Sequence, residues 1–178
     1  MVAKNNYIYP DEELYNYVIN TLNAKGVTMT NIAEQAYRMQ KRFYPELTVD
    51  DYAKQVPKVL KKRDVLNILA VGLALDEVAS KKQLPQPLQE IIEQDAGTFG
   101  VDELLALCIA QMFGGLSISN TFYMDIAKQG IAKDLDHAPG VNVFIDDLIS
   151  ALASAVIARN GHGKPLDLSG YETKLNYK

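Results

Sequence analysis

Apolar residues recur at helical spacing along most of the chain, and no stretch shows the strict alternation of apolar and polar residues that is typical of strands. The pattern predicts an amphipathic helix over 11–26, and a second one that begins with Thr30 as its N-cap and stops before Pro45. A third helical segment begins at Thr48 and is interrupted by Pro57. Further helices are predicted over 64–80, 86–94, 101–113, 119–134 and 142–159. We therefore expect an all-α protein.

The least polar helical segment is GVNVFIDDLISALASAVIARNG, residues 140–161. Between residues 148 and 158 every side of the helix carries apolar or small residues, and two serines are the only polar ones. A helix that is apolar on all sides is normally buried on all sides. We therefore predict a single-domain helical bundle in which the helix at about 142–159 lies at the centre, surrounded by the others.

Length and composition favour one soluble domain over 1–178, with the polar segment 160–178 as a loose C-terminal tail. The net charge of −4 argues against nucleic-acid binding. The longest apolar stretches are shorter than the roughly 20 residues of a membrane span, and residues 1–20 lack the apolar core of a signal peptide. We expect a cytoplasmic protein without a transmembrane segment. Cys108, in an apolar stretch, is expected to pack in the core.

Three of the apolar helices carry acidic residues near one end. Asp146 and Asp147 stand side by side where the predicted central helix begins. Neighbouring residues of a helix point about 100° apart, so at least one of these two carboxylates must be covered by protein. A buried carboxylate needs a cation as its partner, which is a Lys, an Arg or a metal ion.

The other acidic positions are a pair, Asp102 and Glu103, and Asp125, which lies one turn before Lys128. If these helix ends converge, their oxygens would suit Mg²⁺, which also binds substrate phosphate. Each feature also has a purely structural explanation. Acids in a first helical turn complement the helix dipole, and Asp125 with Lys128 has the spacing of a surface ion pair. The residues alone leave both explanations open.

Three strings, taken together, resemble the phosphatidylglycerophosphatase A family: VDELLAL (101–107), YMDIAKQGI (123–131) and GVNVFIDDLISA (140–151). The family pattern has an Asp-Glu pair, then an Asp followed by Lys three residues later, then a glycine-rich stretch that leads into Ile-Asp-Asp. The resemblance covers about 95–160 and, less specifically, 60–95. It implies Mg²⁺-dependent removal of the terminal phosphate from phosphatidylglycerophosphate, which is the hydrolysis of a phosphate monoester.

Carried onto this chain, the resemblance implies a set of site residues. The implied cofactor is Mg²⁺, and the implied partner is a phosphate-bearing substrate, a lipid in the family. Asp146, Asp147 and Lys128 would be catalytic, with the lysine facing the phosphate. The implied metal ligands are Asp102, Glu103, Asp125, Asp146 and Asp147.

The chain also departs from the family pattern. Phe122 stands where the family has Arg, Gln129 where it has Pro, and Asn142 where Gly is expected. The family's N-terminal phosphate loop and long membrane spans are missing, so the chain is most similar to the soluble, shortened branch of Gram-positive bacteria that includes the low-temperature-requirement C protein. No basic amphipathic helix is visible that would dock it on a membrane.

Two hypotheses follow from these observations. The first is a Mg²⁺-dependent phosphatase, peripheral at the membrane when its substrate is a lipid. The second is a non-catalytic helical binding or regulatory protein linked to low-temperature stress. We expect a homo-oligomer in either case. Residues 1–60, which lie outside the resemblance, are expected to pack around the central helix or to form the interface between subunits.

Overall fold

The computed structural model of this chain describes residues 7–161, and these residues form ten α-helices and no strand, as predicted. The predicted tail lies outside the described residues beyond Gly161, while Asn160 and Gly161 belong to the last helix. The helices are α1 (Asp11–Ala24), α2 (Met29–Gln40), α3 (Val49–Ala53), α4 (Val56–Leu60), α5 (Arg63–Ser80), α6 (Leu88–Glu93), α7 (Val101–Gln111), α8 (Gly115–Ala127), α9 (Ile131–Asp136) and α10 (Val143–Gly161).

Local capping interactions set where two of these helices begin. Helix α2 is capped by Thr28, so the prediction of Thr30 as its N-cap is wrong by two residues. The Thr28 hydroxyl accepts the N–H of Asn31 at 3.2 Å, and the Asn31 side-chain oxygen accepts the N–H of Thr28 at 2.9 Å. At α3 the N–H of Thr48 donates to Asp51 at 3.0 Å, as the box-like spacing predicts.

The single helix predicted over 119–134 is wrong, because the structure contains two helices that are separated by the segment 128–130. Gly130 has a φ of +57°, a left-handed backbone conformation that glycine adopts at little cost. The turn is also held from outside, since the side-chain amide of Gln35 donates to the carbonyl of Gln129 at 2.9 Å. This break places α9 beside the N-terminus of α10.

Helix α10 lies at the centre of the bundle, which confirms the prediction from its apolar pattern. Every residue from Phe144 to Ala158 is buried. Seven helices contact α10, namely α2, α3, α4, α5, α7, α8 and α9, whereas α1 and α6 pack on α5. Helices α5 and α10 approach closely at Gly72, where an added Cβ would lie 2.5 Å from the Leu148 side chain. The N-terminus of this central helix carries the acidic pair.

One prediction about the core is wrong, because Cys108 is exposed. Helix α7 buries Ala106, Ile109 and Ala110 against its neighbours, and the opposite side of the helix, with Leu104, faces outward. A helix with a mostly apolar sequence can therefore lie on the outside of the bundle, as α7 does, as well as at its centre, as α10 does. Among residues 7–161, no helix combines the length and the apolar character that crossing a bilayer would require.

Candidate metal centre

The start of α10 is fixed by a residue that the sequence analysis missed, Asp76 of α5. Its fully buried carboxylate accepts the backbone N–H of Phe144 at 3.1 Å and that of Ile145 at 2.9 Å. Burial raises the pKa of Asp76 to about 7, although the two N–H bonds and the nearby Lys25 oppose the shift. Asp76 and Glu77 form an acidic pair directly after the apolar run of α5, and this was the available signal, the same one that singled out the acids of α10.

The side chain of Asp147 joins the acidic pair of α7. One carboxylate oxygen each from Asp102, Glu103 and Asp147 lies within 4.8 Å of the other two. The Asp125 carboxyl of α8 lies against Asp147 and lines the same narrow pocket as Glu103. Helices α7 and α8 both pack on α10, and this packing brings the four acids together. We call these four residues the acidic cluster.

The described residues around the acidic cluster offer its carboxylates little positive charge. Oδ1 of Asp102 and Oε2 of Glu103 are buried and accept no hydrogen bond from a described residue. Burial, reinforced by the adjacent Glu103, raises the pKa of Asp102 to about 7. Burial, followed by the negative charges of Asp146 and Asp125, raises the pKa of Asp147 to about 9. Without an added cation, Asp147 therefore retains its proton at neutral pH, and Asp102 is close to half protonated.

The side chain of Asp146 points to the other side of α10 and has a cation of its own. The Lys128 ammonium donates to Asp146 at 2.8 Å and to Asp136 at 3.0 Å. Burial raises the pKa of Asp146, and the lysine only partly opposes that shift. Burial alone would lower the pKa of Lys128, but the two carboxylates outweigh it and raise the pKa.

This arrangement separates the predicted site residues into two groups. The predicted alternative of an ion pair between Lys128 and Asp125 does not form, because the lysine is held by Asp146 and Asp136. Asp136 was missed because it lies outside the predicted helices, and nothing in its sequence context indicates Lys128, eight residues earlier, as its partner. Asp146 therefore stands apart from the acidic cluster, on the lysine side of the helix.

The acidic cluster has the chemistry of a hard-cation site. Its donors are carboxylate oxygens from three helices, two of them without hydrogen bonds, and such ligands suit Mg²⁺ or Ca²⁺. Asp102, Glu103 and Asp147 could hold one ion, and Asp125 is placed to act beside it. Phe122 lines the pocket, and the described residues of its lining include no Lys or Arg.

The chain resembles proteins whose sequences and structures are known. It is 37% identical to "Uncharacterized protein YpjQ" of Bacillus subtilis over 155 residues, which are 86% of this chain and 88% of YpjQ. It is 38% identical to "Uncharacterized protein YutG" of the same organism, over 79% of this chain and 86% of YutG. The crystal structure of YpjQ superposes with a TM-score of 0.83 and covers 87% of this chain and 97% of that one.

The low temperature requirement C protein from Listeria monocytogenes also shares the fold, with a TM-score of 0.82 and 38% identity over 84% of this chain and 96% of its own. The profile of phosphatidylglycerophosphatase A matches residues 19–162. The match begins at residue 19, well before residue 60, where the resemblance was expected to begin, so α2 and the last six residues of α1 belong to the shared unit. The chain is therefore a member of the phosphatidylglycerophosphatase A family.

Proposed function

We propose that this protein is a Mg²⁺-dependent phosphatase that hydrolyses a phosphate monoester, with phosphatidylglycerophosphate as the substrate that the family name suggests. One observation carries the proposal. Carboxylate oxygens of Asp102, Glu103 and Asp147 gather within 4.8 Å of one another, and no Lys, Arg or His among residues 7–161 forms an ion pair with any of these three acids. Acids brought together at such a cost are typical of sites whose counter-charge comes from a ligand.

The residues of the acidic cluster have different proposed roles, which depend on where each one lies. Asp102, Glu103 and Asp147 are the proposed ligands, and the protons held by Asp102 and Asp147 would leave on binding of the ion. Bound Mg²⁺ would supply positive charge for the phosphate oxygens and increase the acidity of a water molecule. Asp125 lies against Asp147 and is the candidate to accept a proton from that water. Thr121 and Phe122 form the wall of the pocket.

Lys128 and Asp146 act together on the other side of α10. The ammonium is about one third exposed, so it can contact an anion while it stays bonded to Asp146 and Asp136. Its two carboxylate partners keep it protonated, because they raise its pKa against the effect of burial. Asp146 is therefore a positioning residue for Lys128 in this proposal, and Asp76 is a positioning residue for the start of α10.

The experiment that tests the proposal is phosphate release from phosphatidylglycerophosphate in detergent, with Mg²⁺ and with EDTA. We expect release only with Mg²⁺. Calorimetry of Mg²⁺ binding to the wild type and to Asp147→Asn is the companion measurement, and the variant should lose the binding. Release that continues in EDTA, or that is as fast in Asp147→Asn as in the wild type, would contradict the proposal.

A second candidate is a non-catalytic binding or regulatory protein, and one observation favours it. Within the part of the chain that the structure describes, no Lys or Arg lines the acidic pocket, and the sequence resemblance puts Phe122 where an Arg is expected. If that loss removed catalysis, Mg²⁺ and a phosphate-bearing ligand would still bind, but no phosphate would be released. Calorimetry with Mg²⁺ and a phosphate monoester, followed by an assay for free phosphate, separates the two candidates.

A further inference from the structure

An apolar ridge follows the exposed side of α8. Phe122, Tyr123 and Ile126 are 48%, 55% and 85% exposed, and the neighbouring α7 exposes 60% of Leu104. Single exposed apolar residues are ordinary, but three within five residues of one helix form a patch that water solvates poorly. We call the three residues of α8 the apolar ridge.

The apolar ridge separates two surface features of opposite charge. On one side, Phe122 lines the pocket of the acidic cluster. On the other side, Tyr123 lines a groove of about 600 Å³ between α8 and the end of α2. Arg38 and Arg42 also line that groove, together with polar and apolar side chains, and none of its described lining residues is an Asp or Glu. We call it the arginine groove.

The arginine groove is positively charged although the whole chain has a net charge of −4. Among residues 7–161, no carboxylate lies within 4.0 Å of the guanidinium of Arg38 or Arg42. The Arg42 guanidinium stacks on the ring of Phe43, 4.5 Å from its centroid, and that ring is 59% exposed. Lys41 is exposed beside them, and Glu46 is the one acid in the same turn.

We propose that the apolar ridge and the arginine groove form one surface that docks on the anionic face of a lipid bilayer. Arginines beside exposed aromatic and aliphatic side chains suit the boundary between headgroups and acyl chains, where guanidinium groups meet lipid phosphates. The surface is assembled from α8 and from the end of α2, about 80 residues earlier in the chain. No single helix carries the pattern, which explains why the sequence shows no basic amphipathic helix.

This inference rests on the proposed function and deepens it, since docking would bring the acidic pocket to the level of the lipid headgroups. A second copy of the chain fits this surface less well than a bilayer does. A twofold contact centred on the arginine groove would place Arg38 and Arg42 of one copy against those of the other, and like charges at such a contact repel.

Sedimentation with lipid vesicles tests the docking surface without catalysis. The vesicles contain phosphatidylcholine with about 30% phosphatidylserine, and EDTA keeps the metal-dependent pocket out of the measurement. A basic residue near an anionic surface strengthens binding about fivefold, so Arg38→Gln/Arg42→Gln should weaken it about 25-fold. The matched control, Lys61→Gln/Lys62→Gln, removes the same charge from an exposed turn elsewhere and should change binding less than about twofold.

The apolar part of the surface has its own matched pair of variants. Ile126→Ser should weaken vesicle binding about tenfold, because its side chain leaves water on docking. Val71→Ser, at a half-exposed position on α5, should leave binding unchanged. Both side chains are exposed, so neither substitution disturbs the core. Added NaCl should weaken binding by the wild type, as expected for contacts between exposed charges.

Three results would overturn the docking proposal: a wild type that does not sediment with anionic vesicles, binding that Arg38→Gln/Arg42→Gln leaves intact, or a dimer that dissociates on Ile126→Ser and binds no vesicles. Asp147→Asn separates this proposal from the proposed function. It should bind vesicles like the wild type, whatever its phosphatase activity. A wild type that releases phosphate but ignores vesicles would refute docking alone.

Discussion

Asp146 and Asp147 are neighbours in sequence, about equally buried, and differ in what faces them. Asp146 meets the ammonium of Lys128 at 2.8 Å, so the protein supplies its counter-charge. Asp147 faces three other acids, and its pocket is lined by no Lys or Arg among residues 7–161. Burial raises the pKa of both, and that of Asp147 reaches about 9. The protein thus supplies the counter-charge on the Asp146 side of α10, which we call the complete side. On the Asp147 side, which we call the incomplete side, no described residue supplies one, and we propose that an ion from solution does.

The largest expected effect comes from removing the charge on the incomplete side. Asp147→Asn should lower Mg²⁺-dependent phosphate release at least about 100-fold, because it removes a proposed ligand of the ion. The measurement is the rate of phosphate release at saturating Mg²⁺. Asp134→Asn, at an exposed acid of α9, is the control and should stay within about twofold of the wild type. Equal losses of phosphate release in Asp147→Asn and Asp134→Asn would show that Asp147 is no more important to the reaction than an exposed acid.

Breaking the complete side should cost stability. Lys128→Met leaves Asp146, which is 6% exposed, beside Asp136 with no cation, and should lower the free energy of unfolding by about 2–3 kcal/mol. We place the loss at the low end for a buried pair because the lysine is one third exposed. Urea unfolding measures it, and adding Asp146→Asn to the same chain should recover most of the loss.

The control for that loss is Lys81→Met, which removes the lysine of a pair with Glu77 on the surface. Both side chains of this pair are about half exposed, so the free energy of unfolding should stay within the error of the measurement. A Lys128→Met protein as stable as this control would show that Asp146 does not depend on its lysine.

The two sides should also respond differently to pH and Mg²⁺. The pKa of Asp147 rises from 3.8 to about 9 on folding, so the folded chain holds a proton that the unfolded chain has released. The stability gained by holding it is present below pH 3.8 and is lost as the pH rises through about 9. The melting temperature in EDTA should therefore fall from pH 6 to pH 9, and Mg²⁺ should reverse the fall.

The same linkage gives a binding prediction. If one proton leaves when Mg²⁺ binds, the affinity of the protein for Mg²⁺ should rise by up to about tenfold per pH unit below pH 9. Calorimetry in two buffers with different ionisation enthalpies counts the protons released. Affinity that does not change with pH, together with no proton release, would show that Asp147 is not a ligand.

The features around α10 that the sequence predicts are those that depend on a local pattern of residues. An all-round apolar run predicts the central position of α10, and three acidic blocks in apolar helices predict where charge must be balanced. The spacing of Thr48 and Asp51 likewise predicts a capped helix start. Each of these is a property of a few neighbouring residues.

The partner of each acid depends instead on packing between distant segments. Lys128 lies three residues after Asp125 in sequence, yet it binds Asp146 because the chain turns at Gly130. Asp76 reaches the start of α10 from 68 residues away. The exposure of Cys108 has the same origin, since an apolar pattern alone does not show which helix has another packed over each of its sides.

The smallest effect should come from giving the incomplete side a cation of its own. Phe122→Arg places a guanidinium at the wall of the acidic pocket. It should raise the melting temperature in EDTA by a few degrees and weaken Mg²⁺ binding about threefold, because the arginine neutralises part of the charge that the ion requires. Tyr123→Arg is the control, since its side chain points about 100° away into the arginine groove. Calorimetry that shows equal Mg²⁺ affinity for both variants would mean that Phe122 does not face the ion, and the contrast between the two sides of α10 would then rest on Asp147 alone.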